Sequence, residues 1–264
     1  MFSYNKVSSK DVEDMRMKYY KNLTAPMDDM WEHGIIPKGD YYEIVHEHRI
    51  GYFVLDDKKA ILQFYLEHES RYNLDTIFQD VLKKFNIEHA LVSTYDPIFL
   101  SLCMEESKGV EINSILYRGI NTELVAKPIE TMVSLYAVQE DFQRVIDYHE
   151  QKAGFHGVWL REYCKNLILK RELILYMIGD EIIGTGEMRH SLSSPEYCNV
   201  GMTVASDYRR KGIGSYILSD LKELAKQAEL KVICSTSSDN IASQKTILKS
   251  GFFPYNRILD VRFS

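Results

Sequence analysis

The sequence lacks the marks of several protein classes. No apolar run nears the ~18 residues that a membrane-spanning helix needs, and the longest, Leu173–Ile178, is far shorter. Membrane insertion is therefore not expected. The N-terminal stretch MFSYNKVSSKDVEDMRMKYY has no basic start followed by an apolar segment, so no secretory signal is expected. Cysteines number four, Cys103, Cys164, Cys198 and Cys234, far apart and with no C-x-x-C pair. They read as buried thiols of a protein in the reducing cytoplasm. Positive charge is not in excess: 32 Lys and Arg face 38 Asp and Glu, for a net charge of −6. That balance argues against a dedicated nucleic-acid binder and suits a cationic substrate. No Gly-Lys-Ser/Thr P-loop, Gly-x-Ser-x-Gly, Ser-His-Asp order or EF-hand loop occurs.

What is present is an ordinary globular composition, 45% apolar and 27% charged, which excludes disorder and fibrous rods. A length of 264 residues fits one large domain or two small ones. Apolar periodicity predicts alternating helices and strands. Residues 9–33 read as a helix in two pieces, broken near Thr24 and Pro26. Strands follow at Tyr41–His48, Ile50–Leu55 and Ala60–Glu67, then a helix carrying Leu74, Ile77, Phe78, Val81, Leu82 and Phe85. A strand at Ala90–Thr94, a turn at Asp96-Pro97, a helix at Ile98–Glu105 and a strand at Val110–Tyr117 complete the first half.

The second half repeats that order. A strand is expected at Glu130–Ala137, helices at Glu140–His149 and Val158–Leu169, and strands at Leu173–Ile178, Glu181–His190 and Asn199–Val204. A helix over Gly212–Ala228, a strand at Val232–Ser235, a helix at Ile241–Lys249 closed by Gly251, and a strand at Ile258–Phe263 end the chain. The segment Ala90-Leu-Val-Ser-Thr-Tyr-Asp-Pro occupies the place that Val232-Ile-Cys-Ser-Thr-Ser-Ser-Asp-Asn takes in the second copy. Two domains are expected, over 1–125 and 126–264, with the boundary between Gly119 and Lys127. No low-complexity linker joins them.

Chemistry concentrates in Val200-Gly-Met-Thr-Val-Ala-Ser-Asp-Tyr-Arg-Arg-Lys-Gly-Ile-Gly-Ser-Tyr-Ile-Leu, a strand, a basic loop and a helix. Gly212 and Gly214 allow close approach of the backbone to a ligand. The first-turn N–H groups of a helix lack intrahelical partners and sit at its positive end. A pyrophosphate satisfies both, with Arg209, Arg210 and Lys211 adding charge around it.

The Arg-x-x-Gly-x-Gly pattern from Arg209 to Gly214, after a strand ending at Val204, resembles the acetyl-CoA loop of the GNAT N-acetyltransferases. Asn240-Ile-Ala-Ser-Gln-Lys-Thr-Ile-Leu-Lys-Ser-Gly-Phe resembles that family's final helix, and Asp180-Glu-Ile-Ile-Gly-Thr-Gly-Glu the turn and strand before the loop strand. Together these cover residues 130–264. Over 1–125 the likeness is one of element order, and the stretch between Glu67 and Asp75 holds no glycine. That half looks like a degenerate repeat without a pyrophosphate loop.

The resemblance implies an α/β fold, a mixed and mostly antiparallel sheet flanked by helices, in two tandem copies. It implies acetyl-CoA as co-substrate and direct attack by an amine on the thioester, the acceptor being a small molecule or a peptide. By carry-over, the backbone of Met202, Thr203 and Val204 pairs with the pantetheine and acetyl group. The amides from Arg210 through Gly212, Ile213 and Gly214 to Ser215 hold the pyrophosphate, and Asn240 and Ser243 sit beside the pantetheine or ribose.

The family's usual base and acid do not carry over. The strand positions for a Glu read Cys198 and Asn199, and the helix position for a Tyr reads Ile247. Glu187 is the first candidate base, against its reading as an exposed strand residue. Glu196 is the second, and Tyr255 a candidate acid, although water can protonate a thiolate whose pKa is ~8.5. Cys198 reads as a packing thiol. Trp159 and Tyr163 line the acceptor site or pack in the core, the latter being the expectation. His46 and His48 share a strand face, but no third metal ligand is evident, so no metal is expected. The N-terminal half shapes the acceptor site or serves as a packing partner. A non-catalytic acyl-CoA-binding regulator and a transferase of longer acyl groups are the alternatives. A homodimer is compatible with the sequence, which does not fix the oligomeric state.

Overall fold

The computed structural model describes residues 2–120 and 127–264. The first half runs β1 (Ser3–Val7), α1 (Glu13–Asn22), β2 (Asp40–His46), β3 (His48–Leu55), β4 (Ile61–Leu66), α2 (Leu74–Phe85), β5 (His89–Ser93), α3 (Pro97–Glu105) and β6 (Gly109–Gly119). The second runs β7 (Val133–Tyr136), α4 (Phe142–Asp147), α5 (Val158–Leu169), β8 (Leu173–Ile178), β9 (Glu181–His190), β10 (Tyr197–Val204), α6 (Ile213–Gln227), β11 (Lys231–Ser237), α7 (Ile241–Lys249) and β12 (Phe252–Arg262).

Among the described residues the strands form one twelve-stranded sheet, ordered β1-β2-β3-β4-β5-β12-β6-β11-β10-β9-β8-β7. The order is pseudo-symmetric about its centre, with equivalent strands of the two halves at equivalent places. The last strand of each half has crossed over. β12 pairs with β5, and β6 pairs with β11. β6 and β12 pair with each other from Gly109↔Arg262 to Gly119↔Phe252. The halves are therefore hydrogen-bonded along a whole strand. The boundary expected between Gly119 and Lys127 falls mostly on 121–126, outside the described residues.

Local chemistry explains the elements. Ile77, Phe78 and Val81 bury one face of α2, which closes at Asn86 in a left-handed conformation. Asp96 caps α3 by accepting from Phe99 N at 3.2 Å, with Pro97 at the first helical position. Ile217, Leu218, Leu221 and Ala225 fasten α6 onto a core that includes Tyr176, Val200 and Phe252. In the first half Phe53, Phe64, Phe78 and Phe99 form the matching core.

Some expectations need adjusting. β1 was not expected, because Ser-Tyr-Asn-Lys-Val shows no apolar alternation. Tyr4 anchors it, its ring 6.0 Å from Phe53 and 5.9 Å from Phe85. β12 starts at Phe252 rather than Ile258. Pro254, which cannot donate to the ladder, sits beside a register shift between Pro254 and Asn256. Within residues 9–33 only α1 is α-helical; a π-helical turn covers Met30–Ile35. A second π-helical turn, Tyr148–Ala153, continues α4. No helix among the described residues is long and apolar enough to cross a membrane.

Candidate active site

β10 and β11 are parallel and pair only from Tyr197↔Lys231 to Asn199↔Ile233. Beyond Asn199 they part, while β10 stays paired with β9 as far as Val204↔Gly184. The outward-facing backbone groups of Val200 to Thr203 thus border a gap. A cavity of about 820 Å³ opens there, within the usual size of ligand sites. Gly201, Met202 and Thr203 of β10, Ser235 of β11, and Ser243 and Ile247 of α7 line it.

The equivalent gap of the first half is closed. β4 and β5 pair only at Ile61↔Ala90, but Tyr19, Met27, Trp31 and Tyr95 fill the space beyond and leave about 10 Å³. The segment before α2 is a 3₁₀ turn, His68–Asn73, without glycine.

The N-terminus of α6 stands beside the cavity, with Gly214 against the lining residue Met202. Arg210 and Gly212 take left-handed conformations, at φ 63° and 83°, and turn the chain into the helix. The first intrahelical bond runs from Tyr216 N to Gly212 O at 3.0 Å, and no side chain caps the helix. The amides of Ile213, Gly214 and Ser215 are left without backbone partners. Gly214 serves packing, since a Cβ there would lie 3.2 Å from Met202 Sδ and from Thr246 Cγ2. Arg209 is occupied: its Nε donates to Val204 O at 3.1 Å and a terminal nitrogen to Ala153 O at 2.7 Å. It braces the loop, while Arg210 is exposed and Lys211 lies 5.0 Å from the Tyr208 ring. Asn240 caps α7 by accepting from Ser243 N at 3.1 Å.

One end of the cavity holds charge, and much of it comes from the first half. Asp28, Asp29, His33 and Lys38 line the cavity with Glu187 and Arg189 of β9. Glu187 is buried, and its Oε2 accepts from Tyr163 at 2.6 Å and from Arg189 at 2.8 Å. Its Oε1 has no protein partner among the described residues. Arg189 also bonds the Tyr163 hydroxyl and pairs with Asp29 at 3.2 Å. Burial raises the carboxyls of Asp28 and Asp29 above the usual range, with Arg189 opposing it. Burial and the Glu187 charge push the Tyr163 hydroxyl well above its ordinary value, so it stays a donor. Asp29 N donates to Asn199 Oδ1 at 3.2 Å, and the buried Asn199 Nδ2 has no partner. His149, on the second π-helical turn, is also buried with both ring nitrogens unpartnered. Burial lowers its pKa, so the ring is neutral near pH 7.

The fold brings Glu187, Met202, Thr203 and Ser243 to one cavity; Val204, residues 209–215 and Asn240 do not line it, although Gly214 lies against the lining residue Met202. Thr203 Oγ1 is tied to Tyr148 Oη at 2.9 Å and to Thr185 Oγ1 at 2.8 Å. Glu196 is exposed in the turn before β10 and does not line the cavity. Tyr255 sits on β12 with the Arg118 guanidinium 3.9 Å from its ring centre, also outside it. Trp159 and Tyr163 both line the cavity; Trp159 is 52% exposed, while Tyr163 also packs against the core around Val145 and Leu160, as expected. Cys198 is fully buried in the core, where burial pushes its thiol up to about 12. His46 pairs with His48 across the β2–β3 turn, and no metal-binding group of three is found among the described residues. Asp28, Asp29, His33 and His149 were not singled out from the sequence, which carries no motif there.

The model of an acetyltransferase (GNAT) domain matches residues 8–119, and that of the acetyltransferase (GNAT) family matches residues 156–252. No curated protein matches the chain. Among solved structures it is similar to an acetyltransferase of the GNAT family from Colwellia psychrerythraea, at 28% identity and a TM-score of 0.91, covering 99% of this chain and 100% of that one. Two further similarities rest on fold alone. A GCN5-related N-acetyltransferase from Sphaerobacter thermophilus shares 12% identity at a TM-score of 0.65, over 98% and 94% of the two chains. A tandem GNAT protein from the clavulanic acid biosynthesis pathway shares 14% at 0.63, over 98% of each.

Proposed function

Since the chain carries two GNAT acetyltransferase domains, one in each half, we propose that its second half transfers an acetyl group from acetyl-CoA to a primary amine. The observation that carries this reading is the parting of β10 and β11 onto the uncapped N-terminus of α6. Unpaired strand backbone suits the amide groups of pantetheine, and the free amides of α6 suit a pyrophosphate. Arg210 and Lys211 add mobile charge, while Arg209 holds the loop. The closed gap of the first half leaves one co-substrate site per chain. The first half instead forms a wall of the acceptor site through Asp28, Asp29, His33 and Lys38. The chain's four cysteines are buried free thiols, as befits a reducing cytoplasm.

Acetyl-CoA supplies a thioester, an acyl group already activated toward amines. An alkylamine arrives mostly protonated, its pKa being near ~10. Glu187 Oε1 is the proton acceptor in this reading, with Oε2 held by Tyr163 and Arg189. The C–N bond forms as the C–S bond breaks; the second amine proton leaves to water and the thiolate takes a proton from water. Three carboxylates around one buried guanidinium favour a cationic acceptor.

Thiol release from acetyl-CoA, followed across a panel of primary amines, tests the reading. Amine-dependent release supports it. Tight acetyl-CoA binding without release from any amine would instead make the chain an acyl-CoA-binding protein.

A further inference from the structure

The acceptor cavity changes character along its length. Its floor is ionic, with Asp28, Asp29 and Glu187 about Arg189. Its solvent-open mouth carries three large apolar side chains among polar ones: Met30 of the first half is 65% exposed, Phe155 and Trp159 of the second are 42% and 52% exposed, and the exposed His33, Lys38, Glu162 and Asn166 stand around them. Large apolar side chains clustered and exposed at a cavity mouth mark a contact surface. Trp159 and Tyr163 lie one turn apart on α5, with ring centres 5.7 Å apart. They form an aromatic wall from the mouth to the Tyr163–Glu187 hydrogen bond at the floor. The buried His149, whose ring lies 6.0 Å from Phe155, has both nitrogens free of protein partners.

Resting on the acetyltransferase reading, we propose that the acceptor is a primary amine on an apolar body of about aromatic size. The ammonium end enters first, toward Glu187 Oε1 and the aspartates. The apolar body lies between Met30 and the Phe155–Trp159 wall. Both halves of the chain therefore grip it. A strongly polar acceptor such as a sugar amine or a polyamine would leave these apolar surfaces wet.

The test compares phenethylamine with ethylamine and putrescine as acceptors, with acetyl-CoA as donor and thiol release as readout. Burial of a phenyl group predicts a kcat/KM ratio of phenethylamine to ethylamine of roughly 10 to 100. Trp159→Ala and Met30→Ala, both at exposed positions, are each expected to lower that ratio at least fivefold. Equal kcat/KM for the amines, a preference for putrescine, or a ratio unmoved by both substitutions overturns the proposal and leaves the acetyltransferase reading standing. No release with any amine, despite acetyl-CoA binding, takes down both.

Discussion

Asp29 Oδ2 lies 3.2 Å from Arg189 Nε, joining a turn of the first half to a strand of the second. The contact stands at the floor of the cavity, and the same guanidinium holds Glu187 at 2.8 Å. One cation thus ties the halves together and orients the candidate base. The carboxylate of Glu187 has room because residue 201 is glycine: a Cβ there would sit 3.2 Å from its Oε2.

Replacing Arg189 by Met leaves Asp29 and Glu187 buried without their counter-ion. Stability is expected to fall by about 3–5 kcal/mol, the cost of breaking a buried pair from one side. Urea unfolding measures it. A loss under about 1 kcal/mol would mean that the pair is solvated and does not join the halves.

Glu32 reaches from the first half to the turn between β9 and β10. Its carboxylate accepts from Ser193 N at 2.6 Å and from Leu192 N at 3.0 Å while nearly fully buried. Glu32→Gln keeps the shape but replaces one of the two accepting oxygens with an amide donor that faces a backbone N–H, and an expected loss of about 1.5–3 kcal/mol follows. Faster proteolysis at the exposed Leu192 should accompany it.

Asp96 carries a pH dependence of definite sign. Burial raises its carboxyl from 3.8 to about 6. The folded state then binds the proton more tightly than the unfolded chain, so stability is fully present below pH 4 and is lost as pH rises to 6. From pH 4 to pH 7 the loss is about 2 kcal/mol, by the relation of pKa shift to free energy. Asn is an equally good cap. Asp96→Asn should therefore remove this slope in paired melts at pH 4 and pH 7. Identical slopes in both proteins would refute the assignment.

Glu187→Gln separates base from scaffold. Transfer to an amine is expected to drop by roughly 10²–10⁴-fold, the usual worth of a positioned base, with acetyl-CoA affinity little changed. An unchanged pH–rate profile would dismiss Glu187 as the base.

The repeat and the strand–loop–helix around Arg209 to Gly214 were legible because each has a local signature. Arg209 to Gly214 encodes its turn in glycine, and the apolar faces of α2 and α6 declare themselves by period. Three features were not legible. The exchange of β6 and β12 is a choice between two equivalent strand partners, and no local sequence favours one. The cavity floor joins Asp29 to Arg189 across 160 positions (189 − 29), so no motif contains both. The bracing role of Arg209 was hidden too, because a basic loop residue looks the same whether it faces a phosphate or the Ala153 carbonyl.

Calorimetric titration with acetyl-CoA bears most directly on the central claim, one donor site per chain between β10 and β11. One molecule bound per chain is expected, with binding abolished or weakened at least tenfold in the exposed-loop variant Arg210→Glu/Lys211→Glu. Two bound molecules, none, or one whose affinity ignores those charges would contradict the account.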